Sequence, residues 1–76
     1  MKDLVEMICK SLVDNPEEVM VSQIEGEHTT ILEVRVRKSD IGQLIGKQGR
    51  TAMAIRTLLA GMGMNQKRRY NLEILD

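Results

Sequence analysis

The sequence predicts an α+β domain, a three-stranded mixed sheet covered on one face by three helices in the order α-β-β-α-α-β. Three observations carry that expectation. Apolar residues recur at helical spacing near the start, at Leu4, Val5, Ile8 and Leu12. They alternate with polar residues twice, at Leu32-Val34-Val36 and at Tyr70-Leu72-Ile74. Between those two segments, a helical stretch is divided by Gly46-Lys47-Gln48-Gly49. With 76 residues in all, the chain has room for one domain, residues 1–76.

Taken in order, residues 2–13 form an amphipathic helix that Asp14-Asn15-Pro16 ends, because proline disfavours helical backbone at the residue before it. Val19–Ile24 is short, β-branched at its start and bounded by turn residues, which predicts a strand, and Glu25-Gly26-Glu27-His28 is the turn after it. In the next strand Leu32, Val34 and Val36 face the core while Glu33, Arg35 and Arg37 stay wet. Ser39-Asp40 offers an N-cap for a helix of little more than a turn, Ile41–Ile45. A longer helix runs from Arg50 to about Ala60, with Gly61 or Gly63 expected to stop it. Within it Ala52, Ile55, Leu58, Leu59 and Met62 share one arc, the expected core face. The final strand carries Tyr70, Leu72 and Ile74 inward, and after two helices it can join the sheet in parallel.

Composition excludes several function classes. Tyr70 is the only aromatic residue, so aliphatics and six methionines build the core and no aromatic stacking platform is available. One cysteine, Cys9, provides neither an internal disulfide nor a thiolate metal cluster, and in its apolar pattern it reads as a packed, reduced thiol. Asp3 and Glu6 interrupt any early apolar stretch, so neither a secretory signal nor a membrane span is expected, and the location implied is cytoplasmic. His28 lacks partners at catalytic or metal-ligand spacing, and Ser11, Ser22 and Ser39 have no base beside them. An enzyme, a metal site and a cofactor are therefore not expected. Lys and Arg balance Asp and Glu at eleven each, but residues 1–40 hold five basic and nine acidic side chains, against six and two in residues 41–76. A neutral chain can thus present one electropositive face.

Gly46-Lys47-Gln48-Gly49 lies within that basic half. A tight bend between helices needs backbone conformations closed to residues with a Cβ. The bend also feeds the N-terminus of the Arg50 helix, where unpaired N–H groups and the helix dipole favour an anion such as phosphate. Lys47 and Arg50 add positive charge on either side. A plain interhelical turn is the alternative reading of the glycines alone. Nothing matches a phosphate-binding Walker sequence.

In its setting, Leu44-Ile45-Gly46-Lys47-Gln48-Gly49-Arg50 resembles the I-G-x-x-G signature of KH domains, and the element order is similar to the prokaryotic, type II arrangement. The resemblance is closer still to the KhpA family of small bacterial RNA-binding proteins. It spans the whole chain, through Leu12–Glu18, Ile45–Leu59 and the ending Leu72–Asp76. Met53 departs from it, standing where a polar or basic residue is expected. The resemblance implies single-stranded RNA as partner, gripped through its backbone with low sequence specificity, in a post-transcriptional regulator or RNA chaperone. Carried over by position, Gly46, Lys47, Gln48 and Gly49 are the phosphate clamp, and Ile41, Gly42, Ile45 and Arg50 line the adjacent groove.

Several features remain outside that clamp. Arg35 and Arg37 on the wet face of a strand read as solvated charge, with RNA contact as the alternative. Lys67-Arg68-Arg69 reads either as a second phosphate patch or as a soluble loop. On the Arg50 helix, Met53, Thr57, Ala60 and Met64 form an uncharged stripe roughly opposite the core arc. Such a stripe of methionine and small residues reads either as a contact surface, here a dimer interface, or as ordinary exposed helix surface. The resemblance implies a homodimer, a heterodimer with a KhpB (Jag)-like KH protein, or both. It also leaves a second function open, a module that docks such a partner with RNA binding secondary.

Overall fold

Aliphatic side chains spaced for helices and strands bury one another here without a single large ring at the centre. The computed structural model describes residues 1–75; Asp76, the last residue of the Leu72–Asp76 ending, lies outside the described residues. The elements are α1 (Lys2–Leu12), β1 (Met20–Glu25), β2 (Thr29–Arg35), α2 (Ile41–Ile45), α3 (Arg50–Gln66) and β3 (Arg69–Leu75). Short 3-10 turns occupy Pro16–Glu18, Lys38–Asp40 and Lys47–Gly49. The expected α-β-β-α-α-β order and mixed sheet are present. β1 and β2 pair antiparallel with Val21 opposite Val34, and β3 joins β2 in parallel with Leu72 beside Leu32. The crossover through α2 and α3 makes that parallel pairing possible and leaves β1 and β3 as the two edges.

Thr30, Leu32 and Val34 alternate inward along β2, and Leu32 and Val34 join a core with Val5 and Cys9 of α1, Leu44 of α2, Ile55 and Leu59 of α3 and Leu72 of β3. Each fully buried aliphatic side chain contributes about 1.5–3 kcal/mol. Burial of Cys9 pushes its thiol up to about 11. Several expectations are corrected. Leu12 is exposed, and Cys9 and Val13 supply the inner face at the end of α1 instead. β2 begins at Thr29 and ends at Arg35, so Val36 packs against the core from outside the strand.

The end of α3 differs most from the sequence reading. The helix runs through both Gly61 and Gly63 to Gln66. Its buried stripe is Ala52, Ile55, Leu59 and Gly63, and Leu58 is 58% exposed. A Cβ on Gly63 would overlap the carbonyl oxygen of Arg68 and lie 3.3 Å from Tyr70 Cδ2, so this glycine permits close packing of α3 on the start of β3. The stop comes later. Arg68 N–H donates to Gly63 O at 2.9 Å and Lys67 N–H to Met64 O at 3.3 Å, with Lys67 left-handed at φ 52°, ψ 42°. That is a Schellman ending in which lysine takes the place glycine usually holds.

Asp40 does not cap α2. Its buried carboxylate accepts the Asn15 backbone N–H at 3.0 Å and the Asn15 side-chain amide at 3.1 Å. The Asp14 N–H donates to Gln43 Oε1 at 3.0 Å. The Asp14-Asn15-Pro16 segment thus both ends α1 and anchors α2, and α2 leads directly into the glycine bend.

Candidate functional site

α2 is little more than one turn in which Leu44 faces the core, while Gly42 and Ile45 are exposed and Ile41 is half-buried. The turn closes when Gly46 N–H donates to Gly42 O at 2.8 Å. Gly46 then takes φ 76°, ψ 171°, a region open essentially to glycine alone. A Cβ there would lie 2.6 Å from Thr51 Cβ and 2.8 Å from Thr51 N. Gly46 is therefore glycine because α3 starts against it. Gly49 is left-handed at φ 74°, ψ 11°, and a Cβ there would meet nothing within 4 Å. Gln48, also left-handed at φ 57°, completes the bend.

This geometry decides which amides are spent. Gly49 N–H donates to Gly46 O at 3.0 Å and Arg50 N–H to Lys47 O. The amides of Lys47 and Gln48 enter none of these bonds, since they precede the first turn's donors. Lys47, Gln48 and Arg50 are exposed, so the bend is not covered by its own chain. Two adjacent amides on an open bend are suited to an anion of phosphate size.

Charge reinforces the geometry. Residues 41–72 contain no Asp or Glu and six Lys or Arg. The first turn of α3 carries no acidic side chain, although a helix N-terminus favours one by about 0.3–1 kcal/mol. Arg50 stands there instead, its guanidinium donating to Gln48 Oε1 at 3.0 Å, and neither Arg50 nor Lys47 has a salt bridge among the described residues. The end of α3 that prefers negative charge is surrounded by cations.

The sequence reading missed a cleft between α3 and the β3 edge, lined by Arg56, Tyr70, Asn71, Leu72 and Glu73. Arg56 donates to Leu72 O at 3.3 Å there. The cleft depends on β3 being an edge beside α3, which no local spacing encodes. The stripe residues Met53, Thr57, Ala60 and Met64 are all exposed, Met53 at 63% and Met64 at 80%. Arg68, by contrast, is committed internally: Nε donates to the buried Thr30 hydroxyl at 2.6 Å and Nη2 to Gly26 O at 2.6 Å. Arg37 lies 3.6 Å from Glu18, and His28 is exposed. Among the described residues no group of three or more His, Cys, Asp or Glu side chains is placed to hold a metal ion, and no helix is long and apolar enough to cross a membrane.

Comparison with known proteins gives an independent finding. The family model described as KhpA/KhpB, KH domain, matches residues 2–74. The RNA-binding protein KhpA of Borreliella burgdorferi is 55% identical, over 97% of this chain and 90% of the relative. The proteins of that name from Aquifex aeolicus and Clostridium acetobutylicum are each 49% identical, covering 100% and 99% of this chain and 96% and 100% of the relatives. No solved structure matches.

Proposed function

The chain belongs to the KhpA/KhpB family of KH domains, and from that membership we propose that it binds single-stranded RNA, holding the strand's backbone at Gly46–Gly49 with low sequence specificity. The observation that carries this reading is the pair of amides at Lys47 and Gln48, left out of the bend's internal bonds and flanked by cations. In a KH domain such a loop clamps about four nucleotides without aromatic stacking. Ile41, Gly42 and Ile45 offer an apolar wall to the bases, and Arg50 steadies Gln48. No step of chemistry is involved; the role is that of a post-transcriptional regulator or RNA chaperone.

Replacing Lys47 and Gln48 with Asp tests the clamp without touching either glycine. With two to three phosphates neutralised at a single-strand slope of about 0.7 each, every contact is worth roughly four-fold at about 0.15 M salt. The double variant is expected to lose at least about 15-fold in RNA affinity, with its thermal transition and sedimentation unchanged. Undiminished affinity would refute the assignment.

The outer face of α3 favours a second role in assembly. Between Arg56 and Lys67 the helix carries no charge, and its outer face exposes Met53, Thr57, Ala60 and Met64. This face pairs with a second copy or with a KhpB-like KH protein, so that two loops engage one transcript with raised avidity. Sedimentation equilibrium at tens of micromolar is expected to show a dimer that Met53→Lys or Ala60→Lys converts to monomer. A monomer in every case excludes the homodimer.

A further inference from the structure

The far end of α3 has features that the loop clamp does not use. The helix spans 17 residues, so at a rise of 1.5 Å each its C-terminal end lies roughly 25 Å from the glycine bend. A concavity of about 790 Å³ opens there, with Lys67 and Arg69 among its lining residues beside Ala60, Met64 and His28. Arg68 also lines it, but its guanidinium is engaged by Thr30 and by Gly26 of the β1–β2 turn, which leaves Lys67 and Arg69 as the cations without such bonds. Lys67 and Arg69 have no salt bridge among the described residues, and no acidic residue occurs between Asp40 and Glu73.

A second observation singles out Lys67. Among the described residues only two that are not glycine hold a positive φ, Gln48 at 57° and Lys67 at 52°. One lies in the bend before α3 and the other immediately after the helix. Glycine is the residue that suits a Schellman ending, so lysine there keeps a cation at a position where backbone strain argues against it. Strain of that kind clusters at ligand contacts. Attraction to the helix C-terminus accounts for a nearby cation, but not for placing it on the one residue whose backbone disfavours a side chain.

We propose that Lys67 and Arg69 form a second backbone contact for the same RNA strand, engaging phosphates beyond those held at Gly46–Gly49. This rests on the RNA-binding reading above and extends it: the occupied length exceeds the four or so nucleotides of the loop, with the strand running beside α3 towards its C-terminal end. Charge complementarity selects the occupant, since among the described residues the lining holds no acid and Lys67 and Arg69 have no salt bridge.

Fluorescence anisotropy with labelled oligouridylates of about four and about twelve nucleotides, lengths within the range of single-strand site sizes, tests it. Lys67→Gln with Arg69→Gln is expected to weaken twelve-nucleotide binding about 15-fold at about 0.15 M salt, and to lower the log–log salt slope by about 1.4. Four-nucleotide binding changes less than about two-fold in the same variant. Lys67→Gly keeps the test clear of folding defects: it suits the left-handed backbone, so the melting temperature rises while long-strand affinity falls about four-fold. A twelve-nucleotide affinity and slope equal to wild type, or equal losses at both lengths, would overturn the second contact. The Lys47→Asp, Gln48→Asp variant separates the two readings, because its retention of binding would sink the clamp whatever the fate of Lys67 and Arg69.

Discussion

Alanine at each glycine of the bend separates a backbone demand from a packing demand. Gly49 is left-handed with open space around its missing Cβ. An L-residue there costs about 1–2 kcal/mol, partly offset by about 0.4–1 kcal/mol from the stiffer unfolded chain. Gly49→Ala should therefore destabilise by about 1 kcal/mol. Gly46 adopts φ 76°, ψ 171°, where a side chain costs up to about 3 kcal/mol. Its added methyl would also lie 2.6 Å from Thr51 Cβ and 2.8 Å from Thr51 N, so the start of α3 must shift, at a further cost of about 1–3 kcal/mol. Gly46→Ala thus loses about 4 kcal/mol, against a total of roughly 4–11 kcal/mol for a chain of this size at 0.05–0.15 kcal/mol per residue. By far-UV circular dichroism, at about 4–8 °C per kcal/mol, Gly49→Ala melts about 5 °C lower and Gly46→Ala about 20 °C lower or without a transition. Adding Thr51→Ala should not rescue Gly46→Ala, because Cβ and the backbone N of residue 51 remain. Equal, small shifts for the two glycine variants would refute the close approach of α3 to the bend.

Other outcomes follow from contacts elsewhere. Gly61→Ala enters open space in mid-helix and should stabilise by about 0.5–1 kcal/mol, whereas Gly63→Ala should destabilise because its methyl overlaps the Arg68 carbonyl; paired thermal melts check the opposite signs. Asp40→Ala strands the Asn15 N–H and should lose about 1–3 kcal/mol in urea denaturation, without a change in slope. Cys9, buried and with its thiol pushed up to about 11, should resist iodoacetamide at neutral pH until the chain unfolds. Rapid labelling of the folded protein would contradict that burial.

The parts of the fold that were legible in the sequence are those in which one residue's role follows from its spacing. The strands announced themselves because Leu32 and Val34 alternate with charge, and the glycine bend because its two glycines interrupt a helical pattern beside basic residues. Where tertiary contact decides, local pattern failed. Gly61 and Gly63 look alike in sequence, yet one faces solvent and the other admits a neighbouring carbonyl. The helix stop is hidden because Lys67, not a glycine, adopts the left-handed turn. Asp40 has the right position to cap α2, but a partner 25 residues earlier, Asn15, takes its carboxylate. Leu58 fits the core arc by angle and misses it because the buried stripe is narrow, centred on Ile55 and Leu59. At the site, the loop residues and the exposed α3 stripe were readable; the Arg56 cleft was not, since it exists only where β3 forms a sheet edge.

The amides of Lys47 and Gln48 carry the functional account, and they can be watched directly. In a ¹⁵N–¹H titration with a short oligouridylate, the backbone resonances of Lys47, Gln48 and Gly49 are expected to move furthest and to saturate together, with the shifts suppressed by added salt. Stationary Lys47 and Gln48 amides under conditions where RNA is demonstrably bound would contradict it.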